Sequence, residues 1–393
     1  MRARLIVPSA ALCLLLLALA DGGCKERSSS SGGGASTQSS GSSSEIVLGE
    51  YGSMTGATAT FGTSSHEGIM LAVDEINSAG GLLGKQVRVI PEDDQSKADE
   101  AVNAVQKLIN RDNVCGILGE VASKRSLAAG NVCEKYKTPM LSPASTNPEV
   151  TRNKQYVFRT CFTDDFQGLV NGQFAIKKGW KKIAILTDVN NDYSKGLAKF
   201  FKQAYPGGGG GQIIADESYR EGDKDFKAQL TKIKGAEPDA VYVPGYYTDV
   251  GNILRQAREL GLTVPFFGGD GWDSPDTLKL GPIADGCFYT DHYSPDDPAP
   301  QVQNFIKTYQ GKYGKVPDAM AILGYDAARV MCDSIKRAGN TDRRAIRDAL
   351  AATKDFPGAS GTITIDEQHN ARKPIKVLEI RGGKTHLAES IAP

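Results

Sequence analysis

VCGILGEVASKRSLAAGNVCEKYKTPMLSPASTNPEVT, residues 114 to 151, is the stretch whose reading decides the fold. Residues 114–118 read as a short apolar strand, residues 124–136 as a helix, and Met140-Leu141 as a second strand. Strand, helix and strand of these lengths make one βαβ unit, which closes with a right-handed crossover onto a parallel sheet. Each strand runs at once into small and hydroxyl residues: 119–123 after the first, and Ser142-Pro143-Ala144-Ser145-Thr146-Asn147-Pro148 after the second.

The same rhythm extends in both directions. Upstream, a strand at 46–49 precedes a helix that Ser64 or Ser65 can cap, with an apolar stripe of Ile69, Ala72, Val73 and Ile76. Gly80-Gly81 supplies its left-handed stop. A strand at 87–90 and a helix at about 96–110 follow. Downstream the series restarts, with strands at 182–186, 240–243 and 265–267 and helices at 194–205 and 250–260. Two later helical patterns cover 319–338 and 342–351. Two βαβ series in succession predict an α/β protein of two doubly wound parallel-sheet lobes. Ligands of such sheets bind beyond the carboxyl ends of the strands, and two facing lobes put those ends in a cleft.

A length of 393 residues is enough for two lobes with separate cores. Lys plus Arg equals Asp plus Glu at 46 each, so no net field draws nucleic acid, and none is expected as a partner. Met1-Arg2-Ala3-Arg4 followed by the apolar run 5–20 reads as a secretory signal and not as a spanning helix. Two endings stay open. Ala18-Leu19-Ala20 fits cleavage to a soluble protein, whereas Gly22-Gly23-Cys24 resembles a lipoprotein box with Asp21 where Leu is usual. The Ser/Gly stretch 28–44 is a tether with nothing to bury, which suits an anchored protein. Cys24 is therefore the expected lipidation site, and the protein is expected outside the cytoplasm, held to the membrane by that anchor. Five further cysteines (115, 133, 161, 287 and 332) include no Cys-x-x-Cys. They read as buried small residues with one or two bridges among them.

Loops after strands carry the candidate chemistry. Tyr51-Gly52-Ser53-Met54-Thr55-Gly56, 119–123 and 142–148 offer hydroxyls and backbone N–H groups suited to a carboxylate. Taken one at a time, such loops are N-caps and turns. In the second half, Tyr246-Tyr247 and Gly268-Gly269-Asp270-Gly271-Trp272-Asp273 set aromatics and acids after strands, where they suit an ammonium group. Alone, these too read as packing and turn residues.

Residues 46 to about 380 resemble the periplasmic branched-chain amino-acid-binding proteins, the substrate receptors of ABC importers. The resemblance rests on Gly52-Ser53-Met54-Thr55-Gly56 through Phe61-Gly62, Asp74-Glu75-Ile76-Asn77 with Gly80-Gly81, SPASTNPEVT at 142–151, Phe158-Arg159, and GNILRQAR at 251–258. It implies a type I periplasmic binding fold, two lobes joined by a three-strand hinge. By resemblance, Ser123 and Thr146 take the ligand carboxylate and the Ala144 carbonyl takes the ammonium. Tyr246 closes over the ligand, Asp270 pairs with the ammonium, and Tyr193, Phe61 and Ala122 wall the pocket. Two departures stand out. The family acid is commonly Glu, one methylene longer than Asp270, and Ala122 replaces one half of a small disulfide.

The expected partition is signal 1–23, tether 24–45, first lobe 46–162 with 293–356, and second lobe 163–292 with 357–393. The crossings are expected near 161–164, 289–293 and 357–361. Catalysis is not expected: there is no Gly-x-Ser-x-Gly elbow and no His-Glu-x-x-His. His66, His292, His369 and His386 are scattered without ligand spacing and read as surface or packing residues, so no metal or cofactor is expected. Gly382-Gly383-Lys384-Thr385 ends like a phosphate loop, but Leu378 stands where its first glycine belongs, so it reads as a turn. The expected function is capture of an amino acid for an inner-membrane ABC permease. The rival is a sensor of the same fold for an amide, urea or an aromatic acid.

Overall fold

The computed structural model describes residues 45–393 apart from Gly210. The expected signal, most of the tether and Cys24 lie outside the described residues. The first series runs β1 (Glu45–Gly52), α1 (Ala59–Ser78), β2 (Gln86–Asp93), α2 (Ala98–Asn110), β3 (Ile117–Leu118), α3 (Ser123–Lys135), β4 (Met140–Ser142) and β5 (Val157–Arg159). The second runs α4 (Asp164–Lys177), β6 (Lys182–Asp188), α5 (Asp192–Gly207), β7 (Gln212–Tyr219), α6 (Lys227–Gly235) and β8 (Ala240–Tyr242). It continues with α7 (Tyr247–Glu259), β9 (Phe266–Gly268), α8 (Pro275–Leu278) and β10 (Phe288–Asp291). Then come α9 (Pro300–Tyr313), α10 (Ala319–Ala338), α11 (Arg343–Ala351), β11 (Phe356–Gly358), β12 (Gly361–Ile363), β13 (Ile375–Arg381) and β14 (Lys384–Ile391).

Two sheets result. The first has the order β2-β1-β3-β4-β5, and each neighbouring pair is parallel. The second has the order β14-β13-β10-β9-β8-β6-β7. Its strands β7 to β10 pair in parallel, as the βαβ reading requires, and β13-β14 adds an antiparallel hairpin at one edge. That hairpin turns at Gly382-Gly383, with φ of 57° and 69°. Positive φ at both turn positions is the geometry glycine allows at no steric cost. The stretch that ends like a phosphate loop is this turn.

Several expectations need correction. α1 begins at Ala59, because Ser64 and Ser65 do not cap it: both are buried inside the helix, and the Ser64 hydroxyl donates to Asp318 at 2.6 Å. Glu45, counted with the tether, already pairs with Gln86 in β1. All five described cysteines are free and buried, so none forms the expected bridges. Residues 357–371, counted with the second lobe, pack in the first core instead. Ile363, Ile365 and Ala371 join Ile46, Leu48, Leu141 and Phe158 there. The Asp326 carboxylate of α10 holds the Ala359 and Ser360 N–H groups at 2.6 and 2.9 Å. The third passage between the sheets therefore falls after Ala371 and before β13, not at 357–361.

Candidate ligand-binding cleft

The first-lobe loops are built from serines and one arginine. β4 ends at Ser142, whose hydroxyl accepts the Ser145 N–H at 2.9 Å and donates to the Glu120 carbonyl at 2.7 Å. Arg159, wholly buried, donates to the carbonyls of Ser145 and Asn147 at 2.6 and 2.8 Å. A rigid guanidinium fork thus sets the curve of 142–148, the loop that carries Ala144 and Thr146. Ser123 opens α3, and its hydroxyl accepts the Asn147 N–H at 3.2 Å. Ala122, Ser123, Ala144 and Thr146 are all buried at 2% exposure or less. These four expected site residues therefore lie on two loops tied directly to each other.

Behind them sits a buried charge cluster absent from the sequence reading. Arg125 Nε lies 3.0 Å from Glu120 and 3.8 Å from Asp94, and its Nη2 donates to Thr58 at 2.8 Å. Glu120 also accepts the Ala122 N–H, so the cluster positions the start of α3. Burial and the charge of Glu120 push the Asp94 carboxyl up to about 8.

On the second lobe, Asp270 follows β9 and is held from three sides. Oδ1 accepts from Gln167 Nε2 and from the Tyr193 hydroxyl, both at 2.9 Å, and Oδ2 faces His292 Nε2 at 3.1 Å. A Cβ at position 269 would stand 2.1 Å from Gln167 Oε1 and 2.4 Å from the Tyr193 oxygen, so any larger residue there would displace two partners of Asp270. Trp272 is wholly buried and donates to the Val243 carbonyl at 2.9 Å, so it packs the loop as a structural residue. Asp273 spans the cleft: it accepts from Tyr289 at 2.9 Å and from the Ala319 N–H of α10 at 2.6 Å.

Asp164, at the start of α4, was not foreseen. It is wholly buried, and apart from the Thr146 hydroxyl no donor among the described residues reaches its carboxyl oxygens. Burial and the charge of Asp270 hold its carboxyl well above the usual carboxylate range. Its own N–H donates to the Thr146 carbonyl at 2.9 Å, which sets it beside the first-lobe loop. A buried carboxyl with free acceptors beside a second carboxylate can take a cation, and a buried polar group without a partner is costly otherwise.

Aromatic rings pack together in the core that also holds Ala122 and Ala144. Tyr193 and Tyr246 stack at 5.1 Å and 15°, and Phe61 of α1 meets Tyr246 edge-on at 5.5 Å and Tyr247 at 5.0 Å. The Tyr246 hydroxyl has no partner among the described residues, and burial raises its pKa well above that of a free phenol. Further contacts cross between the lobes. Thr60 N–H meets the Tyr247 hydroxyl at 3.3 Å, Thr60 meets Ser274 at 3.0 Å, and Asn147 donates to the Asp192 carbonyl at 2.8 Å. These contacts join the two lobes directly. The structure thus brings together every expected site residue, and it adds Asp164, Gln167, Arg125, Tyr247 and His292. His292, read as a surface or packing residue, is buried against Asp270. Among the described residues no cluster of three or more His, Cys, Asp or Glu could hold a metal, and no helix is long and apolar enough to cross a membrane.

Comparison with known proteins gives one consistent result. The family described as periplasmic binding protein matches residues 45–384. The chain is 31% identical to a Leu/Ile/Val-binding protein of Rhizobium johnstonii over 82% of this chain and 88% of that protein. It is 40% identical to a leucine-binding protein of Thermotoga maritima of known structure, with a TM-score of 0.85, covering 88% of this chain and 99% of that one. A branched-chain amino acid transporter substrate-binding protein from Streptococcus pneumoniae, solved with isoleucine, is 35% identical. Its TM-score is 0.84, and the match covers 89% of this chain and 100% of that one.

Proposed function

The chain belongs to the periplasmic binding protein family, and from that premise we propose that it captures an aliphatic α-amino acid, of the branched-chain class, for an ABC importer. It is an extracytoplasmic binding protein and not an enzyme. One observation carries the choice of ligand: two buried carboxyls, Asp164 and Asp270, lie close enough for the charge of one to raise the pKa of the other, and Asp164 has unfilled acceptors. An ammonium group between them supplies the missing positive charge and donors. Its carboxylate then falls to Ser123 and Thr146, and its side chain to the space around Phe61, Ala122 and Tyr246, with Tyr193 behind.

Asp270 on its own no longer argues for an amine. Gln167, Tyr193 and His292 already satisfy it, so a ligand without an amine does not leave it bare. The argument rests on the pair. Closure follows from the same geometry: Ser123, Thr146 and the Ala144 carbonyl sit on one lobe and the two carboxyls on the other, so a bound amino acid favours the closed state by bridging them.

The test is calorimetric titration of the purified protein, refolded to remove carried-over ligand, with leucine, isoleucine, valine, alanine, phenylalanine, urea and benzoate. Binding at about 10 μM or tighter by an aliphatic amino acid, with urea and benzoate silent, is the expected result. Binding of benzoate or urea alone would move the protein to the sensor reading.

The anchor is proposed on the sequence only, from Gly22-Gly23-Cys24 and the Ser/Gly stretch behind it. Cys24→Ser should shift the protein from the membrane fraction to the soluble fraction of cells. An unchanged membrane fraction would remove Cys24 as the attachment point.

A further inference from the structure

His292, the third partner of Asp270, follows β10 at the second passage between the lobes. Its side chain has no exposed surface, and Nε2 faces Asp270 Oδ2 at 3.1 Å. Phe162, from the first passage, lies flat on the imidazole with ring centroids 3.7 Å apart and planes 18° apart. The His292 N–H donates to the Asp291 carboxyl at 2.7 Å. Nδ1 has no partner among the described residues.

These contacts assign the tautomer. A neutral ring carries one hydrogen. On Nδ1 it would be a buried donor without an acceptor, and it would turn the bare Nε2 lone pair toward a carboxylate. On Nε2 it is a hydrogen bond to Asp270. Burial holds the ring below its usual pKa of 6.5, so it is neutral at pH 7. Two titratable groups face the ring, Asp270 from the turn after β9 and Lys373 from the segment before β13, while Asp291 on its own strand takes the backbone N–H. Asp164 and Cys161, from the first passage, face Asp270 instead.

The imidazole therefore touches the second-lobe acid at one edge and the first passage across its face, and it belongs to the second passage by its own backbone. We propose that His292 is a positioning residue that ties the orientation of Asp270 to the hinge. Gln167 and Tyr193, both in the second lobe, hold Oδ1 in any state of the hinge. Only the bond to Oδ2 runs through a ring clamped between two passages, so bending them shifts Phe162 against His292 and releases that oxygen. Closure sets the carboxylate, and an occupied site resists opening. The inference rests on the reading of Asp270 as an ammonium partner.

The test titrates L-leucine into the wild type, His292→Phe, His292→Gln and Asp270→Asn between pH 5.5 and 8. His292→Phe keeps the stack on Phe162 but removes the donor, and its Kd should rise about tenfold or more at pH 7.5, as for a lost hydrogen bond to a charged group. His292→Gln restores a neutral donor and should bind within about threefold of wild type. The pH profile separates positioning from packing. In the wild type, acid protonates the ring, and the imidazolium then neutralises the carboxylate that the ligand needs, so affinity falls once pH drops below the ring's own pKa, which burial holds under the usual 6.5. His292→Gln cannot gain that charge, so this part of the acid-side loss should disappear. Wild-type affinity and an unchanged acid-side fall in both variants, with Asp270→Asn impaired, would overturn the tie and leave the site standing. An unimpaired Asp270→Asn would overturn both. If His292→Phe fails to fold, the pH profile of His292→Gln decides alone.

Discussion

Arg125→Met is expected to lower the unfolding free energy at pH 7 by about 3–5 kcal/mol, measured by urea denaturation. Arg125 is 3% exposed and has two carboxylates around it, Glu120 at 3.0 Å and Asp94 at 3.8 Å. Methionine fills much of the volume but leaves Glu120 charged and buried without its counter-ion. Removing one partner of such a cluster costs far more than the cluster contributes net, because the remaining charge stays desolvated. Asp94 gives the wild-type cluster a pH dependence of its own. Its folded pKa of about 8 lies above the usual 3.8 of an aspartate, so its contribution is fully present below 3.8 and is lost as pH rises through about 8. A loss under about 1 kcal/mol in Arg125→Met would mean that the cluster is solvated, and the account of how α3 is positioned would fall.

Asp270→Asn should weaken leucine binding by about 2–5 kcal/mol, a rise in Kd of roughly thirtyfold to several thousandfold. Asparagine keeps an oxygen for Gln167 and Tyr193, so the loop after β9 should survive. Its amide would face His292 Nε2, and the ring can accept that hydrogen by changing tautomer. What is lost is the formal charge opposite the ammonium. Asp164→Asn should cost less, because the carboxyl it replaces is already held toward its neutral form by burial and by Asp270. Circular dichroism of both variants should match the wild type. Equal binding by all three proteins would remove the carboxyl pair from recognition.

The architecture was legible where apolar runs and helices alternate cleanly. The helix expected at 319–338 coincides with α10, and the strand at Met140-Leu141 falls one residue short of β4. Elements with weaker patterns were missed. β7 is half-exposed along most of its length and therefore lacks a continuous apolar run. α4 has glycine at 168 and 172, where its backbone packs closely on α5, so an apolar stripe is not what marks it. Most of the expected site residues converge because they sit just after strand ends, where topology gathers them, while Phe61 and Tyr193 arrive on α1 and α5. The supporting residues stayed hidden. Arg125 on α3 and His292 after β10 look like ordinary polar residues in one dimension, and only tertiary contacts show that each is buried against a carboxylate. The third passage was misplaced for a similar reason: the buried pairing of Asp326 with Ala359 and Ser360 joins residues 33 and 34 positions apart. No local pattern announces that.

Recognition of an α-amino acid through its ammonium group is tested most directly by comparing L-leucine with 4-methylpentanoate, which differs only in lacking the amine. Both should be titrated by calorimetry into the wild type and into Asp270→Asn at pH 7.5. The account predicts that the wild type prefers leucine by about a hundredfold or more, and that most of this preference disappears in the variant. Equal affinity of the wild type for both compounds would contradict it, because the carboxyls of Asp164 and Asp270 would then have no part in choosing the ligand.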